Sequence, residues 1–285
     1  KENQSFCEMD ELYLTDLTEE HLDKCKNRKI IGIDPGKQSL VYMVDENKKK
    51  LRYTACQRRV ESYRKKNSMI LQWEKLNNNI IEEETKLSLQ NSKSVDIELF
   101  KRHLVEKSKL NEEVKEFYQR EVWRKMGFRQ YSYGKKSIDT FLNKIKETFG
   151  ENLLIGYGNW SRSTQMKHIM PTMNKGLRKL IHKKYDTITI NECYTSQKCC
   201  DCFGDLEYYR NKQLKKEFRL LVCSNCVSCE NKKIVFRTRD ANSAINIMKL
   251  TKLWIEKQER PCEFQKTNSS FTISDKKEME KVRQS

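Results

Sequence analysis

Four cysteines constrain this chain more than any other feature: Cys199-x2-Cys202, twenty residues, then Cys223-x2-Cys226. A Cys-x2-Cys step places two sulfurs on one side of a tight knuckle, and two facing knuckles close a tetrahedron of thiolates. That is the ligand set of a zinc ribbon. The link carries two short runs, Leu206–Tyr209 and Phe218–Val222, that can pair as strands. Cys193, Cys200 and Cys229 are neighbours that could substitute, and Cys226-x2-Cys229 repeats the spacing. With four sulfurs around it, one Zn²⁺ keeps no open position for water, so the site is structural. A ribbon alone implies folding and a possible contact to nucleic acid, not a reaction.

Seven of the eleven cysteines fall between Cys193 and Cys229, while Cys7, Cys25, Cys56 and Cys262 stand alone. One cluster plus isolated thiols fits a metal site in a reducing compartment better than a secreted disulfide framework. Lys and Arg outnumber Asp and Glu by 57 to 40, a net +17, which points to a polyanion partner. No apolar run approaches the roughly 20 residues that span a bilayer, so no membrane partner is expected. At 285 residues the chain can bury one large core or two modest ones. It begins at Lys1 and not Met, and reads as a fragment of a longer product.

The pattern along the chain is mixed. Residues 1–28 read as a connector into the first domain. From Lys29, Ile30-Ile31-Gly32-Ile33-Asp34-Pro35-Gly36 and Leu40–Val44 form two apolar runs around a Pro-Gly turn, a hairpin, with 51–55 as a third strand. Residues 57–150 carry helical spacing in Val60, Tyr63, Ile70, Trp73 and Leu76, again in Leu99, Leu104, Leu110, Val114 and Phe117, then in Trp123, Phe128, Tyr131 and Phe141; most of these aromatics are expected in helix cores. Residues 87–96 are the expected loop. Leu153-Leu154-Ile155 is a buried strand, followed by a basic helix over 166–184 and a strand at Thr187–Ile190, the order of a right-handed crossover. Arg239–Lys257 is a closing helix, and the tail from Phe264 is expected to be disordered. Arg120, Arg124, Lys125 and Arg129, with Lys167, Lys175, Arg178, Lys179 and Lys183 of the basic helix, are the candidates for nucleic-acid backbone contacts, against the plainer reading of solvated faces.

Two carboxylates stand out. Asp34 ends a buried strand before the turn, and Asp240 opens a helix, where its charge suits the positive end of the dipole. Singly they read as a turn residue and an N-cap. Together, with a strand-borne acid between them, they can converge to hold two divalent ions at a phosphodiester, and hard oxygen ligands favour Mg²⁺ or Mn²⁺.

Ile31–Gly36 resembles the first RuvC motif. Tyr194-Thr195-Ser196-Gln197-Lys198-Cys199, with Cys202, Cys223 and Cys226, resembles the zinc-ribbon motif of TnpB proteins. Arg239-Asp240-Ala241-Asn242-Ser243-Ala244-Ile245-Asn246-Ile247 resembles the closing RuvC motif. The resemblance covers about residues 29–260. It implies an α/β fold: an RNase H-like (RuvC) mixed sheet with flanking helices, a long helical insertion and an inserted zinc ribbon. The implied division is 1–28 as connector from a missing N-terminal lobe, 29–56 and 151–193 as the first two RuvC parts, 57–150 as the helical insertion, 194–236 as the ribbon, 237–262 as the closing helix and 263–285 as a disordered tail. Members of this family are RNA-guided DNA endonucleases of mobile elements. The resemblance therefore implies a guide RNA, a target double-stranded DNA, Mg²⁺ or Mn²⁺ at the acids, and a monomeric protein within a ribonucleoprotein.

One departure separates this chain from TnpB, whose second RuvC strand ends in glutamate. Here Leu154–Trp160 contains no acid. The Fanzor branch is more similar, its glutamate displaced to the strand before the Thr-Ser-Cys run, where this chain has Glu192. The implied catalytic set is Asp34, Glu192 and Asp240, in a nucleus or other host-cell interior of eukaryotic or viral origin. The alternative is a catalytically inactive zinc-ribbon relic that binds DNA or RNA without cutting it; a transposase is the third reading.

Overall fold

The computed structural model describes residues 12–89, 91–160, 172–211, 213–226 and 235–265. The chain divides into two compact units, Lys1–Thr54 with Lys144–Ser285, and Ala55–Asn143.

The first unit is built on five strands: β1 (Lys29–Asp34), β2 (Ser39–Asp45), β3 (Lys50–Thr54), β4 (Leu153–Gly158) and β5 (Asp186–Ile190), in the order β3-β2-β1-β4-β5. Only β2 runs against the others: it is antiparallel to β1 and β3, while β1, β4 and β5 are parallel. This is the mixed, RNase H-like sheet with flanking helices that the motifs lead one to expect. The parallel strands are nearly unbroken apolar runs because both of their faces are covered; Ile31, Ile33, Leu154, Ile155, Ile188 and Ile190 are all inaccessible to solvent. In parallel register Ile33 faces Tyr157 and Gly158 faces Ile190, so Asp34, Gly158 and the residues after Ile190 leave the sheet at one edge. Open α/β sheets place their sites at that carboxyl edge.

A helix, α8 (Arg239–Lys257), lies across the sheet. Its approach depends on two glycines within strands. A Cβ at Gly32 would meet the Met248 backbone nitrogen at 2.5 Å and the Ala244 carbonyl closer still. A Cβ at Gly156 would collide with Thr251 Oγ1. Only a strand without a side chain at Gly32 admits the helix backbone so near, and only one without a side chain at Gly156 leaves room for Thr251. A shorter helix, α7 (Asn174–His182), joins β4 to β5; the remainder of the basic segment expected over 166–184, as far as 171, lies outside the described residues. A second sheet, β6 (Leu206–Arg210), β7 (Lys216–Cys223) and β8 (Val235–Thr238), is antiparallel in chain order and runs directly into α8.

Both ends of the described chain depart from expectation. Residues 12–28 are not a bare connector. Thr189 N donates to Leu12 O at 2.7 Å and Tyr13 bridges Thr189, covering the β5 edge. Leu14, then Leu22 and Cys25 of helix α1 (Glu19–Cys25), join a core with Ile188, Ile190, Ile247 and Ile255. At the other end Phe264, assigned to the tail by its polar neighbours, is fully buried, with its ring edge-on to Phe203 at 5.2 Å. A single large aromatic flanked by polar residues gives no periodic signal, yet it buries enough apolar surface to anchor a terminus.

The second unit is helical: α2 (Ala55–Glu61), α3 (Arg64–Asn77), α4 (Ile80–Ser88), α5 (Ile97–Gln119) and α6 (Glu121–Phe149), whose last turns belong to the first unit. Ile80, Val114 and Phe117 form its core, with Leu71, Leu110 and Trp123 packed against them. Several residues expected there are instead exposed, among them Val60, Trp73, Leu76, Phe128 and Tyr131. Helical spacing identifies a stripe, but too few neighbouring elements face these stripes to cover their full width.

Candidate functional site

The four cysteines of the ribbon come together. Cys199 and Cys202 sit in a knuckle closed by Cys199 N donating to Gly204 O (2.8 Å) and Phe203 N to Cys199 O (3.0 Å), with Phe203 at φ 58°. Cys223 ends β7 and accepts from Cys226 N at 3.4 Å, making the second knuckle. The Sγ pairs Cys199–Cys226 and Cys202–Cys223 lie 3.7 and 3.5 Å apart, and all four sulfurs fall within 4.8 Å of one another. A tetrahedral Zn–S length of about 2.3 Å requires an edge of about 3.8 Å, so the cage fits Zn²⁺. Disulfide bonding would need sulfurs about 2.05 Å apart. Of the possible substitutes, Cys200 is buried with its backbone N–H committed to Asn242 Oδ1, Cys193 is outside the cage, and Cys229 lies outside the described residues.

The carboxylates gather at the carboxyl edge of the sheet. Asp34, at the end of β1, accepts from Ser243 Oγ of α8 at 2.9 Å. Asp240, in the first turn of α8, accepts from Ser39 Oγ at the start of β2 at 2.9 Å. Glu192, two residues past β5, accepts from Trp160 N at 3.0 Å. Thr195 Oγ1 lies 3.1 Å from Ser243 Oγ and donates to Glu192 O at 3.1 Å, linking the turn that bears Glu192 to the hydroxyl that holds Asp34.

Gly158 explains how Glu192 reaches this edge. A Cβ on Gly158 would stand 2.6 Å from Glu192 Cδ, nearer still to Oε1, and 2.8 Å from Pro35 Cδ. The Glu192 carboxylate therefore occupies the space that a side chain ending β4 would fill.

The electrostatics record the crowding. Burial, the Glu192 charge and the Asp240 charge push the Asp34 carboxyl well above the usual range, against the Ser243 hydrogen bond and the Arg239 charge. Burial lifts Glu192 to about 7 despite the bond from Trp160. Tyr157, fully buried and with no hydrogen-bond partner for its hydroxyl among the described residues, is raised by burial and by the Glu192 and Asp34 charges. Among the described residues the thiols, and not these acids, form a group with all ligand atoms within 4.8 Å. Asp34 instead feels the charges of Glu192 and Asp240 across a wider opening. Carboxylate oxygens gathered at one edge are a donor set suited to hard divalent cations, and a pair of such ions about 3.5–4 Å apart needs ligands spread in this way.

Sequence reasoning missed Ser39, Ser243 and Gly158 as parts of this edge. It also left Asn242 and Asn246 unassigned. Both are buried, and both donate through Nδ2 to Thr195 O and Lys198 O, Asn242 at 3.2 and 2.7 Å and Asn246 at 2.8 Å each. The available signal was polar residues at i, i+1 and i+4 on the face of a helix that must be buried.

The basic candidates divide. Arg120 is engaged within its own unit by Glu74 (3.1 Å) and Asn78 (2.9 Å), and Arg129 by Asn67 (3.0 Å) and the Tyr63 ring. Lys125 pairs with Glu121 at 3.3 Å. Arg178 is buried, not on an exposed basic face, because it shares the inward stripe of α7 with Leu177 and Ile181. Arg124, Lys175, Lys179 and Lys183 are exposed, and Lys167 lies outside the described residues.

No protein-family model and no curated protein matches the chain. Among solved structures it is similar to that of the mini-RNA-guided endonuclease CRISPR-Cas phi3, at 10% identity and a TM-score of 0.48, over 84% of this chain and 47% of that one. The chain thus spans about half the length of that protein. A likeness at this identity says nothing of residues or activity. No helix among the described residues is long and apolar enough to cross a membrane.

Proposed function

We propose that this chain is the catalytic portion of a divalent-metal-dependent, RNA-guided DNA endonuclease of the TnpB/Fanzor type, nearer to Fanzor. One observation carries the reading: Glu192 and Asp240, 158 residues after Asp34 and a further 48 on, both bear on Asp34 at the carboxyl edge of the sheet. Asp34 is the central ligand, held by Ser243; Glu192 and Asp240 flank it, the first fixed by Trp160 N and the second by Ser39. Mg²⁺ or Mn²⁺ bound there would activate water and stabilise the leaving oxygen of a phosphodiester. Without a cation, Glu192 keeps its proton to about pH 7 and must release it to act as a ligand. The thiol cage holds one structural Zn²⁺ and takes no part in the chemistry.

The partners in this reading are a guide RNA and double-stranded target DNA, met by the exposed basic residues through sequence-independent, salt-sensitive contacts. The test is cleavage by the purified protein with the RNA that accompanies it. Asp34→Ala lowers Mg²⁺-dependent cutting by on the order of 10²–10³-fold or more while nucleic-acid binding is retained. Normal cutting by that variant, or no cutting by the unmodified complex in Mg²⁺ or Mn²⁺, favours the inactive binding relic.

A further inference from the structure

We infer that residues 258–265 form a clasp through which the first zinc knuckle helps to hold Glu192 in place, with Arg260 and Phe264 as positioning residues; this rests on the reading of Glu192 as a metal ligand. The exit from β5 is held carbonyl by carbonyl. Ile190 O accepts from Asn159 N at 2.9 Å, and Asn191 O from Arg260 Nη2 at 2.8 Å. Glu192 O accepts from Thr195 N at 3.2 Å and from Thr195 Oγ1 at 3.1 Å. The first donor belongs to the end of β4 and the last to the turn itself. The middle one arrives from beyond the end of α8, and it grips the residue that immediately precedes the acid.

The Arg260 guanidinium acts as a fork. Its Nε donates to Phe264 O at 3.0 Å while Nη2 holds Asn191 O. The segment it belongs to is closed on itself: Gln265 Nε2 donates to Arg260 O at 2.7 Å, and Phe264 N and Gln265 N donate to Pro261 O and Cys262 O at 3.0 Å each. Two donors in one rigid plane therefore tie a closed turn to the Glu192 turn, which the single ammonium of a lysine does not reproduce.

The far end of the clasp is Phe264. Its ring is inaccessible to solvent and edge-on to Phe203 at 5.2 Å. Phe203 belongs to the Cys199–Cys202 knuckle, in the left-handed region at φ 58°, a conformation a bulky residue keeps only where its surroundings hold it. Lys249 of α8 stands over the same ring at 5.6 Å and donates to Cys200 O. An unbroken chain of contacts thus runs from the knuckle through Phe203, Phe264, Arg260 and Asn191 to Glu192, a second tie between cage and edge beside α8.

The test uses the full, zinc-loaded chain as wild type, Arg260→Ala, Arg260→Lys and Phe264→Leu, each also in a Glu192→Gln background, with Asp34→Ala as reference. Zinc content and thermal melting establish which variants are folded, Arg260→Lys carrying the comparison if Arg260→Ala is not. Mn²⁺ affinity is read by titration calorimetry, and amide exchange at Cys193 and Thr195, whose N–H groups bond Asn191 Oδ1 and Glu192 O, is read without Mn²⁺. Arg260→Ala and Arg260→Lys are expected to weaken Mn²⁺ binding about 10-fold when Glu192 is present and less than about twofold when it is glutamine, and to speed exchange at both amides. Phe264→Leu is expected to act in the same direction but less. Equal weakening in both backgrounds, or none in a folded Arg260 variant, overturns the clasp. Wild-type affinity in Arg260→Lys overturns the fork, and wild-type affinity and exchange in Phe264→Leu overturn the link to the knuckle. Wild type that binds Mn²⁺ no better than Asp34→Ala overturns the three-acid reading; the exchange comparison then decides the clasp, which fails if Arg260→Ala and Arg260→Lys leave Cys193 and Thr195 unchanged.

Discussion

The thiol cage and the carboxylate edge lie in the same unit and are tied together by one helix, yet they are assembled in opposite ways. The cage draws its ligands from two knuckles within 28 residues, the first closed by backbone hydrogen bonds and the second by Cys226 N donating to Cys223 Sγ, and its sulfurs already stand at tetrahedral spacing. The edge draws its acids from β1, from the turn after β5 and from α8; burial and the charges of the other two raise the proton affinity of Asp34, and burial raises that of Glu192. A structural site is preformed by local geometry; a site for exchangeable hard cations stores repulsion that the fold must restrain. Helix α8 provides the restraint on both sides. Asn242 and Asn246 grip the carbonyls of residues 195 and 198 leading into the first knuckle, while Ser243 and Asp240, one turn of the same helix, serve the edge.

This contrast can be broken most severely at the cage. Cys223→Ser removes one of four thiolates, and structural zinc binding is coupled to folding by on the order of 10 kcal/mol. The variant is expected to lose its one equivalent of zinc by elemental analysis and to unfold the ribbon by circular dichroism. A strong thiol-competing chelator should reproduce this, whereas Mg²⁺ removal should leave the fold unchanged.

Next in size is Asn246→Ala, which removes two buried hydrogen bonds to the Thr195 and Lys198 carbonyls and leaves Asn242 to serve both; it is expected to cost about 1–3 kcal/mol in denaturant unfolding. Its effect separates it from Ser243→Ala, which removes only the hydroxyl on Asp34 and is expected to reduce divalent-metal-dependent cleavage by about 10–100-fold with a small change in stability. If both variants lose stability and activity in the same proportion, the division of labour along α8 does not hold.

The smallest expected effect is on pH dependence. Folded Glu192 holds its proton to about pH 7, against an ordinary glutamate value of 4.5 in the unfolded chain. Between those values the folded state is the more protonated, so raising pH across this window lowers the stability of the metal-free protein; the contribution is present below about 4.5 and lost as pH passes about 7. Asp34 acts in the same direction. Glu192→Gln should flatten that part of the slope in thermal melts. Added Mg²⁺ should reverse it, because the cation binds the deprotonated acids.

Much of this was legible beforehand where the signal is local. The β1–β2 hairpin, the span of α8 and the paired strands of the ribbon follow from apolar runs and turn residues, and the cysteine spacing follows from knuckle geometry. Phe264 and residues 12–28 were misread because their contribution is burial against distant partners: Leu14 and Leu22 meet Ile190 and Ile255, and Phe264 meets Phe203. The basic residues divide for a related reason. Charge is visible in sequence, but whether an arginine faces solvent, as Arg124 does, or is taken up by Glu74, as Arg120 is, depends on which helices pack together.

The sequence by itself determined the thiol cage, the alternation of strand and helix, and which two aspartates sit at element ends, because each of these is set by spacing over a few residues. Only the tertiary structure decided that Glu192 takes the space left by Gly158, that Ser39 and Ser243 hold the two aspartates, and that α8 can lie on bare glycines at 32 and 156. Those facts depend on distances between segments 34 to 216 residues apart, and such distances are fixed by the register of parallel strands and by close packing, not by any local pattern.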